Sequence, residues 1–565
     1  MTNNQKVQLG DLLIEKQILS QARFDEAMRF AEIKNREIEE YLVDYGYVSE
    51  DQIVDILAGL YGVQRIDLRG VNIPQNLIDL IPAAILRKYN MIPIGYDDFF
   101  PDMLIVAMVN PVDLIAIDDI SLITGCTVEA KIATSREIKV TLDRYYGADE
   151  VMSAVEKYNK EREEQLQQLE GPEEDTTDIE NAPIVTLVRS VIEQAVRQRA
   201  SDIHIDAWES KVRVRYRIDG VLADKMEYGA DLLAAIVTRI KIMGGMDISE
   251  KRKPQDGRIT IVVDRLEYDI RVSILPTSYG EKVVMRLASK TGLTRSKGEL
   301  GMKDWELKQF EHIIANPNGI LLVTGPTGSG KSTTLYTALS ELNKESVNII
   351  TVEDPVEANI EGINQVQVNV KADLTFANAL RSILRQDPDI IMIGEIRDYE
   401  TAAIAVQASI TGHLVVSTLH TNSAAAAFTR LIDMGVESYL LADSVVGVIA
   451  QRLVRRLCPH CREKIQATAE QKIVLGKKPE DDVEIYKAKG CQLCGGSGYH
   501  GRIGVYEIIT MTPDIRKIVT DRGSTEDIKR VAIEQGTHTL RMSASEYVLD
   551  GTTTYEEMMR VSFEN

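Results

Sequence analysis

Residues 318–335 read N-G-I-L-L-V-T-G-P-T-G-S-G-K-S-T-T-L. The apolar run 320–323 predicts a strand, a helix-compatible sequence follows, and between them the glycine-rich loop 325–330 ends in Lys331 and Ser332. Such a loop turns backbone N–H groups toward phosphates, and the helix N-terminus adds its positive end. A chance glycine-rich turn is the alternative. The complete motif with both flanks favours a site for ATP or GTP.

This loop supplies the predicted nucleotide ligands. Lys331 is expected to reach the β- and γ-phosphates, and the Ser332 hydroxyl is expected to ligate Mg²⁺. The residues predicted to hold the nucleotide are Gly325, Pro326, Thr327, Gly328, Ser329, Gly330, Lys331, Ser332 and Thr333.

Hydrolysis also needs a group that acts on water, and a second apolar run, 389–395, ends in an acid. Many phosphate-loop enzymes place a Mg²⁺-binding aspartate here, whereas this chain has Gly394 followed by Glu395. We therefore expect the metal to be held mainly by Ser332 and water, and Glu395 to orient or polarise a water molecule. A strand-end carboxylate on the surface is the alternative.

Two further strands should deliver polar residues to the same crevice, because adjacent parallel strands end at one edge of a sheet. The strand 348–353 is followed by acids, and Glu353 is the candidate general base, with Asp354 and Glu357 as neighbours. The strand 414–419 has His413 before it and His420 after it. At least one of these histidines is predicted to sense the γ-phosphate; the alternative is a hydrogen-bonded structural role for each.

Four of the five cysteines form two C-x-x-C pairs separated by 29 residues. Four thiolates on two such knuckles fit a closed, structural Zn²⁺ site, and the long spacer predicts a small subdomain between them. Reduced thiols or redox pairs are the alternative. Cys126 is isolated and is expected to serve packing. The predicted zinc ligands are Cys458, Cys461, Cys491 and Cys494.

The composition limits the classes of function. The net charge of −21 over 565 residues argues against a nucleic-acid partner, because phosphate backbones bind basic surfaces. No run of 18 apolar residues and no signal-peptide pattern occur in the sequence, and five cysteines are too few for a disulfide framework. We therefore expect a cytoplasmic protein.

The chain is long enough for several domains. We expect a helical module over 1–64, with an internal echo between 12–20 and 41–53, and an α/β module over 65–147. A charged linker is predicted over 148–182, because nine acidic residues and one basic residue occur between Glu161 and Glu180. A middle α/β domain over 183–296 and a phosphate-loop domain over 297–565 follow.

Within the middle domain, the segment 212–218 alternates strictly and predicts a strand with one face of arginines, followed by a hairpin turn at Asp219 and Gly220. From the residues alone, this strand is either part of a phosphate site or an exposed, salt-bridged edge.

Several ordered motifs together resemble the secretion ATPase superfamily, specifically the type IV pilus assembly and type II secretion motor ATPases. The matching segments are G-P-T-G-S-G-K-S-T-T-L-Y (325–336), T-V-E-D-P-V-E (351–357), I-M-I-G-E-I-R-D (391–398), T-G-H-L-V-V-S-T-L-H-T-N (411–422), A-S-D-I-H-I-D (200–206), V-R-Y-R-I-D-G (214–220), P-Q-D-G-R (254–258) and the four cysteines.

The resemblance implies a homohexamer whose subunits combine a PAS-like α/β middle domain with a RecA-like motor domain that carries the zinc subdomain over 458–494. It also implies site roles: Arg215 and Arg217 close on the phosphates, Glu395 is catalytic, and Glu353 belongs to an acidic box. His413 and His420 correspond to a histidine box.

The implied function is a Mg²⁺-dependent motor ATPase that drives pilin polymerisation through inner-membrane platform proteins. Type II secretion is the alternative within the family. A DNA-handling phosphate-loop ATPase and a nucleotide-gated binding protein with little turnover are alternatives of other classes.

The N-terminal modules resemble cyclic di-GMP sensors whose motif begins R-L-G-x-x-L, but key positions differ. The first copy begins with Gln8 and has Gln17 and Ala31 where glycine and glutamine are expected. The second copy places Glu37 at the arginine position, and it has Leu60 in place of glutamine. An arginine that grips the ligand is therefore missing twice, which argues against cyclic di-GMP binding and favours a docking role for 1–147.

Overall fold

The computed structural model describes residues 3–16, 18–33, 38–68, 71–97, 99–146, 183–289 and 295–562. The chain divides into two compact units, Met1–Arg265 with Ile270–Leu287 and Leu266–Asp269 with Ala288–Asn565. Both units mix helices and strands, so the predicted multidomain α/β architecture is confirmed. The linker predicted over 148–182 lies outside the described residues, and the predicted domain boundaries stay predictions.

The first unit begins with helices, as the spacing of its apolar residues predicts. Ser49 caps the fourth helix: its Oγ accepts the Gln52 N–H at 3.3 Å, and Gln52 Oε1 accepts the Ser49 N–H at 3.0 Å. Phe24 packs against Gly10, where a Cβ would lie 2.4 Å from the ring. The helices are α1 (Asn3–Glu15), α2 (Gln21–Ile33), α3 (Ile38–Asp44) and α4 (Glu50–Tyr61).

A three-stranded sheet follows, in which the first two strands are antiparallel and the second and third are parallel. Helices and strands both occur in this region, as expected for an α/β module. The elements are α5 (Gln75–Ile78), α6 (Ala83–Lys88), β1 (Met91–Tyr96), β2 (Met103–Met108), α7 (Leu114–Thr124), β3 (Thr127–Ile132) and α8, described over 135–146.

The unit ends in a six-stranded sheet of order β6-β5-β4-β9-β8-β7. The predicted alternating strand is β5, with Val212, Val214 and Tyr216 buried on one face. The predicted hairpin turn is also present: Asp219 and Gly220 both have positive φ, at 49° and 87°. The elements are α9 (Pro183–Arg197), β4 (Ala200–Ala207), β5 (Lys211–Ile218), β6 (Val221–Gly229), α10 (Leu233–Met243), β7 (Gln255–Val263), β8 (Leu266–Thr277) and β9 (Gly280–Ser289).

The second unit is built on a seven-stranded sheet of order β12-β11-β13-β14-β10-β15-β18, in which only the last pair is antiparallel. Every residue of β10 and β14 is buried, as expected for a parallel sheet covered on both faces. The strands are β10 (Gly319–Thr324), β11 (Ile349–Glu353), β12 (Asn364–Gln367), β13 (Ile390–Ile393), β14 (Leu414–Leu419), β15 (Val445–Leu457), β16 (Glu463–Gln466), β17 (Glu484–Lys487) and β18 (Tyr499–Thr510).

Helices cover both faces of this sheet, and β16 pairs with β17 in a separate two-stranded sheet. None of the helices in the described ranges has the length and apolarity that crossing a bilayer requires. The helices of the second unit are α11 (Asp304–Ile314), α12 (Lys331–Leu342), α13 (Phe376–Ile383), α14 (Tyr399–Ile410), α15 (Ala424–Asp433), α16 (Ser438–Ser444), α17 (Ala469–Val474), α18 (Pro513–Thr520), α19 (Thr525–Glu534), α20 (Leu540–Leu549) and α21 (Tyr555–Ser562).

Candidate functional site

The glycine-rich loop lies between β10 and α12, as its pattern predicts. Two of its glycines are required by close backbone approach and positive φ. Gly325 has φ 149°, and a Cβ there would lie 2.5 Å from the carbonyl oxygen of Gln451. Gly330 has φ 89°, and a Cβ there would lie 2.9 Å from Gln451 Nε2. The backbone and the side chain of Gln451, on β15, therefore limit the space at these two loop positions.

Lys331 begins α12, and its ammonium group is held by the loop itself. Nζ donates to the carbonyl oxygens of Gly325 at 2.7 Å and Pro326 at 3.1 Å. Burial lowers the pKa of Lys331 to about 8, since the attraction of Glu395 only partly offsets it and the repulsion of Arg452 adds to it. A half-buried cation whose hydrogen bonds go to neutral oxygens is suited to accept an anion.

An open pocket of about 480 Å³ lies over the loop, at the carboxyl edge of the parallel sheet. The ends of β11, β13 and β14 contribute to it, which confirms that these strands deliver residues to one crevice. The predicted residues that line it are Thr327, Gly328, Ser329, Gly330, Lys331, Ser332, Thr333, Glu353, Asp354, Glu357, Glu395 and His420.

Glu395 follows β13 and is the carboxylate with the clearest position for chemistry. Its side chain is 16% exposed and is held on both sides, since Oε1 accepts from Arg397 Nη2 and Oε2 lies 3.4 Å from His420 Nε2. The pocket thus contains an oriented acid beside Lys331 and Ser332.

Gly394, which stands where many phosphate-loop enzymes carry an acid, lies close to neighbouring backbone. A Cβ there would be 3.3 Å from the Cα of Glu353 and 3.4 Å from the carbonyl oxygen of Val352. The absence of a side chain lets β11 and β13 approach at the point where both enter the pocket.

Glu353, the candidate general base, is buried, and protein groups occupy its carboxylate through three hydrogen bonds. Its side chain accepts hydrogen bonds from the hydroxyl of Tyr336, from Thr351 Oγ1 at 2.6 Å and from Gln365 Nε2 at 3.1 Å. The residue is 3% exposed. This carboxylate is suited to hold β11 against α12, which carries Tyr336.

The two predicted histidines lie at opposite ends of β14. His420 lines the pocket, whereas His413 precedes the strand, where its Nδ1 lies 2.9 Å from the carbonyl oxygen of Ala408. Six strand residues separate them, or about 20 Å. The structure therefore brings only His420 to the loop.

Other pocket residues are not singled out by the sequence motifs. Arg397, which lies within the segment 391–398, lines the pocket beside the predicted groups, as do Phe376 and Arg502. Gln451 shapes the loop and accepts from Thr334 Oγ1 at 2.8 Å. These side chains reach the site from separate strands and helices, so only the tertiary fold shows that they belong to it.

Arg215 and Arg217 lie in the first unit, on the outer face of β5. This strand is flanked by β4 and β6, so it is not a sheet edge. Arg215 Nε donates to Asp206 Oδ2 at 2.7 Å, and Arg217 Nε lies 3.5 Å from Asp202 Oδ2. This face of the strand is salt-bridged, as one of the two predicted alternatives expected. The strand is internal to the sheet, however, whereas that alternative expected an edge strand.

The four clustered cysteines converge at the end of β15. Their Sγ atoms all lie within 4.8 Å of one another, and the Cys458–Cys491 and Cys461–Cys494 pairs are 3.8 and 3.9 Å apart. Tetrahedral thiolates at about 2.3 Å from Zn²⁺ would be about 3.8 Å apart, so the donor set fits zinc. Between the two knuckles lie β16, α17 and β17, the small subdomain that the spacer predicts.

Comparisons with known proteins match nearly the whole chain. A family model described as Type II/IV secretion system protein matches residues 177–560, and the MshEN domain model matches residues 61–152. The type IV pilus assembly ATPase PilB of Myxococcus xanthus (strain DK1622) is 41% identical over 557 residues, 98% of each chain. Type II secretion system protein E of Xanthomonas campestris pv. campestris is 42% identical over 532 residues, 92% of this chain and 91% of that relative.

Among solved structures, the Legionella pneumophila ATPase DotB matches with a TM-score of 0.51. The match covers 70% of this chain and 98% of that chain at 20% identity. At this identity, the comparison shows a shared fold.

Proposed function

Because this chain belongs to the type II/IV secretion system protein family, we propose that it is a motor ATPase that couples ATP hydrolysis to type IV pilus assembly. The predicted family is confirmed. The observation that carries the pilus assignment is the 41% identity to PilB over 98% of both chains. Type II secretion is the second candidate, because protein E of Xanthomonas campestris pv. campestris is equally similar over 92% of this chain.

The two candidates differ in what the cell loses. Deleting the gene should remove surface pili and leave the secretion of extracellular enzymes intact, and the wild-type gene should restore piliation while Glu395→Gln should not. Lost enzyme secretion with normal pili would establish the type II secretion system instead.

In the proposed site, the loop 325–333 binds the phosphates and Lys331 contacts the β- and γ-phosphates. Ser332 lies at the start of α12 in a pocket that also holds three acids besides Glu395, an oxygen-rich donor set that fits Mg²⁺. Bound there, Mg²⁺ would neutralise charge that develops on the phosphates. Glu395 orients the attacking water, and His420 and Arg397 fix Glu395.

Glu353 serves the acidic box through Tyr336, which ties β11 to α12. Arg215 and Arg217 stabilise charge on the phosphates once the subunits assemble into a hexameric ring, and His413 supports β14 from its amino end. We also assign a RecA-like motor fold to the phosphate-loop domain and a PAS-like fold to the middle domain.

Two glutamate variants separate chemistry from support. Glu395→Gln should bind ATP with nearly normal affinity and hydrolyse it about 10²- to 10³-fold more slowly. Glu353→Gln should lower thermal stability as well as turnover, because it changes a buried hydrogen-bonded carboxylate. Glu400→Gln, on the exposed start of α14, is the matched control. Normal turnover of Glu395→Gln would remove Glu395 from the mechanism.

We also propose that the four cysteines hold one structural Zn²⁺. Cys461→Ser should release metal and unfold the segment between the knuckles, whereas Cys126→Ser should retain it. Elemental analysis giving less than about half an equivalent of zinc in the wild-type protein would contradict the site.

The 65–146 module offers a surface for the inner-membrane platform. On α7, Leu114, Ile115 and Leu122 are 71%, 70% and 83% exposed, and in the β1–β2 turn Phe99 is 86% exposed. Thr127 N donates to the Asp102 carbonyl oxygen at 2.9 Å, so the end of α7 and this turn lie at the same end of the module. An apolar surface of this kind marks a partner site.

Acidic residues surround this surface, namely Asp97, Asp102, Asp113 and Asp118. They disfavour an anionic lipid surface and favour a protein partner with an apolar, basic-rimmed face. Combining Ile115→Glu and Leu122→Glu should abolish sedimentation with inner-membrane vesicles and leave ATPase activity intact. The control Ile473→Glu should leave both sedimentation and ATPase activity unchanged. Binding to protein-free vesicles of the same lipids would overturn the protein partner.

We further propose that the N-terminal modules bind cyclic di-GMP no more than weakly. Gly10 is explained by packing against Phe24, which needs no ligand. Gln17 and Glu37 lie outside the described residues. Calorimetry on the full chain should detect no micromolar binding; micromolar binding that survives in Lys331→Ala would contradict the proposal.

A further inference from the structure

The outer face of the six-stranded sheet has an ordered pattern of charge. The central strand β4 places Asp202, His204 and Asp206 on this face, because Ile203 and Ile205 between them are buried in the core. The register sets Arg217 opposite Asp202 on β5 and Arg286 opposite Asp202 on β9. The acids therefore lie on a middle strand between two strands of cations.

Each carboxylate is shared between one cation from each side. Asp206 accepts from Arg215 Nε at 2.7 Å through Oδ2 and from Lys282 Nζ at 2.6 Å through Oδ1. Asp202 Oδ1 accepts from Arg286 Nε at 3.1 Å, and its Oδ2 lies 3.5 Å from Arg217 Nε. The two carboxylates are nearly buried, at 8% and 9% exposed.

Charge on this face is fixed at neutral pH. Burial opposes ionisation of Asp206, but hydrogen bonds from Lys282 and Arg215 outweigh it and lower the pKa of the carboxyl. His204 stays neutral, because burial and then Lys282 and Arg217 lower the pKa of its imidazole.

The atoms used in these contacts are informative. Arg215 and Arg217 both face their carboxylates through Nε, the side-on edge of the guanidinium group. The terminal nitrogens are used less. Arg217 Nη1 donates to the Gly220 carbonyl oxygen at 3.1 Å. In the described part of the chain, no carboxylate pairs with the terminal nitrogens of Arg215. Terminal nitrogens are the pair that binds phosphate bidentately.

We propose that Asp206 and Asp202 are positioning residues for Arg215 and Arg217, which they orient by the Nε edge so that both terminal nitrogens of Arg215 and Nη2 of Arg217 can bind phosphate. The inference rests on the proposed function of the two arginines. The second cation on each carboxylate, Lys282 or Arg286, compensates its charge when the arginine engages the nucleotide.

A double-mutant cycle on the full-length hexamer tests the proposal. Arg215→Ala should lower kcat about 10²-fold or more, the loss expected for an arginine that stabilises transition-state charge. Asp206→Asn should lower kcat about tenfold with KM for ATP within about twofold, and it should have no further effect in the Arg215→Ala background. Glu227→Gln, at an exposed carboxylate 2.8 Å from Lys211, should leave kcat unchanged.

The outcomes separate the two hypotheses. If Arg215→Ala leaves kcat unchanged, the proposed function of Arg215 fails. If Arg215→Ala lowers kcat but Asp206→Asn does not, or if the two losses multiply in the double variant, Asp206 is not a positioning residue. Should Asp206→Asn fail to fold, the same cycle with Asp202→Asn and Arg217→Ala decides the question, and Asp206→Glu should recover part of kcat.

Discussion

The outer face of the β4–β5–β9 strands and the glycine-rich loop both present cations, but they compensate charge differently. On the sheet face, two carboxylates lie between four cations. In the loop, the hydrogen bonds of the Lys331 ammonium group go only to carbonyl oxygens among the residues that the structure describes. A nucleotide would bring Lys331 its first directly bonded anion, whereas the arginines already have theirs.

Because of this difference, we expect Lys331 of the loop and the arginines of the sheet face to have different roles. A half-buried cation without a directly bonded anion gains most when phosphate binds, so Lys331 should determine affinity. A compensated arginine gains little in the ground state and more as charge develops, so Arg215 and Arg217 should determine rate.

The largest expected effect is therefore on affinity. Lys331→Ala should weaken ATP binding about 10²- to 10³-fold, whereas Arg215→Ala should change the dissociation constant by less than about threefold. Titration with a fluorescent ATP analogue measures both, and Lys344→Ala, on an exposed lysine after α12, is the control. Equal losses of affinity in Lys331→Ala and Arg215→Ala would contradict the assignment of affinity to the lysine and rate to the arginine.

The second effect concerns Glu306 on α11, a buried acid without an ion-pair partner in the described residues. Burial raises its pKa to about 7, although the Lys303 N–H donates to Oε2 at 2.8 Å. An acid with a raised folded-state pKa stabilises the fold at low pH and loses that contribution as pH rises through the folded value. The free energy of unfolding should fall by about 3 kcal/mol between pH 4.5 and 7.

Urea unfolding of the Trp208→Phe variant, in which Trp305 beside Glu306 is the remaining tryptophan, measures this change. Glu306→Gln should flatten the pH dependence and stabilise the second unit at pH 8, while Glu311→Gln on the same helix should not. A pH dependence unchanged by Glu306→Gln would assign it to other groups.

Local sequence was sufficient where chemistry depends on contiguous residues. A stretch of a few residues is enough to predict each of three features: the loop 325–333, the alternating strand β5 and the paired cysteine knuckles. His413 could have been placed too, because it precedes β14 and only the carboxyl ends of parallel strands meet at the loop. Gln451 and Arg502 could not, because their contribution depends on the register of β15 and β18 with strands far away in sequence.

Neutralising a carboxylate that has ion-pair partners should lower stability, whereas neutralising Glu306 should raise it at pH 8. Asp143 on α8 is 9% exposed and accepts from Arg87 Nη2 at 2.8 Å and Arg197 Nη1 at 2.5 Å. Asp143→Asn removes a negative charge that Arg87 and Arg197 share, although Arg197 keeps its ion pair with Asp264, and it should destabilise the first unit by about 2 kcal/mol. Urea unfolding followed by Trp208 in a Trp305→Phe background measures it. Asp55→Asn, at an exposed ion pair, should change stability by less than about 0.5 kcal/mol; stabilisation by Asp143→Asn would contradict the comparison.

The smallest effect is a proton linkage at Lys331. Below pH of about 8 its ammonium group is charged before ATP arrives; above it, binding must also take up a proton, because phosphates raise the pKa of the bound lysine. Affinity should fall about tenfold, or about 1.4 kcal/mol, for each pH unit above 8, a range in which phosphate groups with a pKa near 6 are already ionised. Calorimetry in buffers of different ionisation enthalpy should show proton uptake at pH 9. Lys331→Arg keeps its charge throughout and should bind independently of pH. Proton uptake that persists in Lys331→Arg would place the titrating group elsewhere in the pocket.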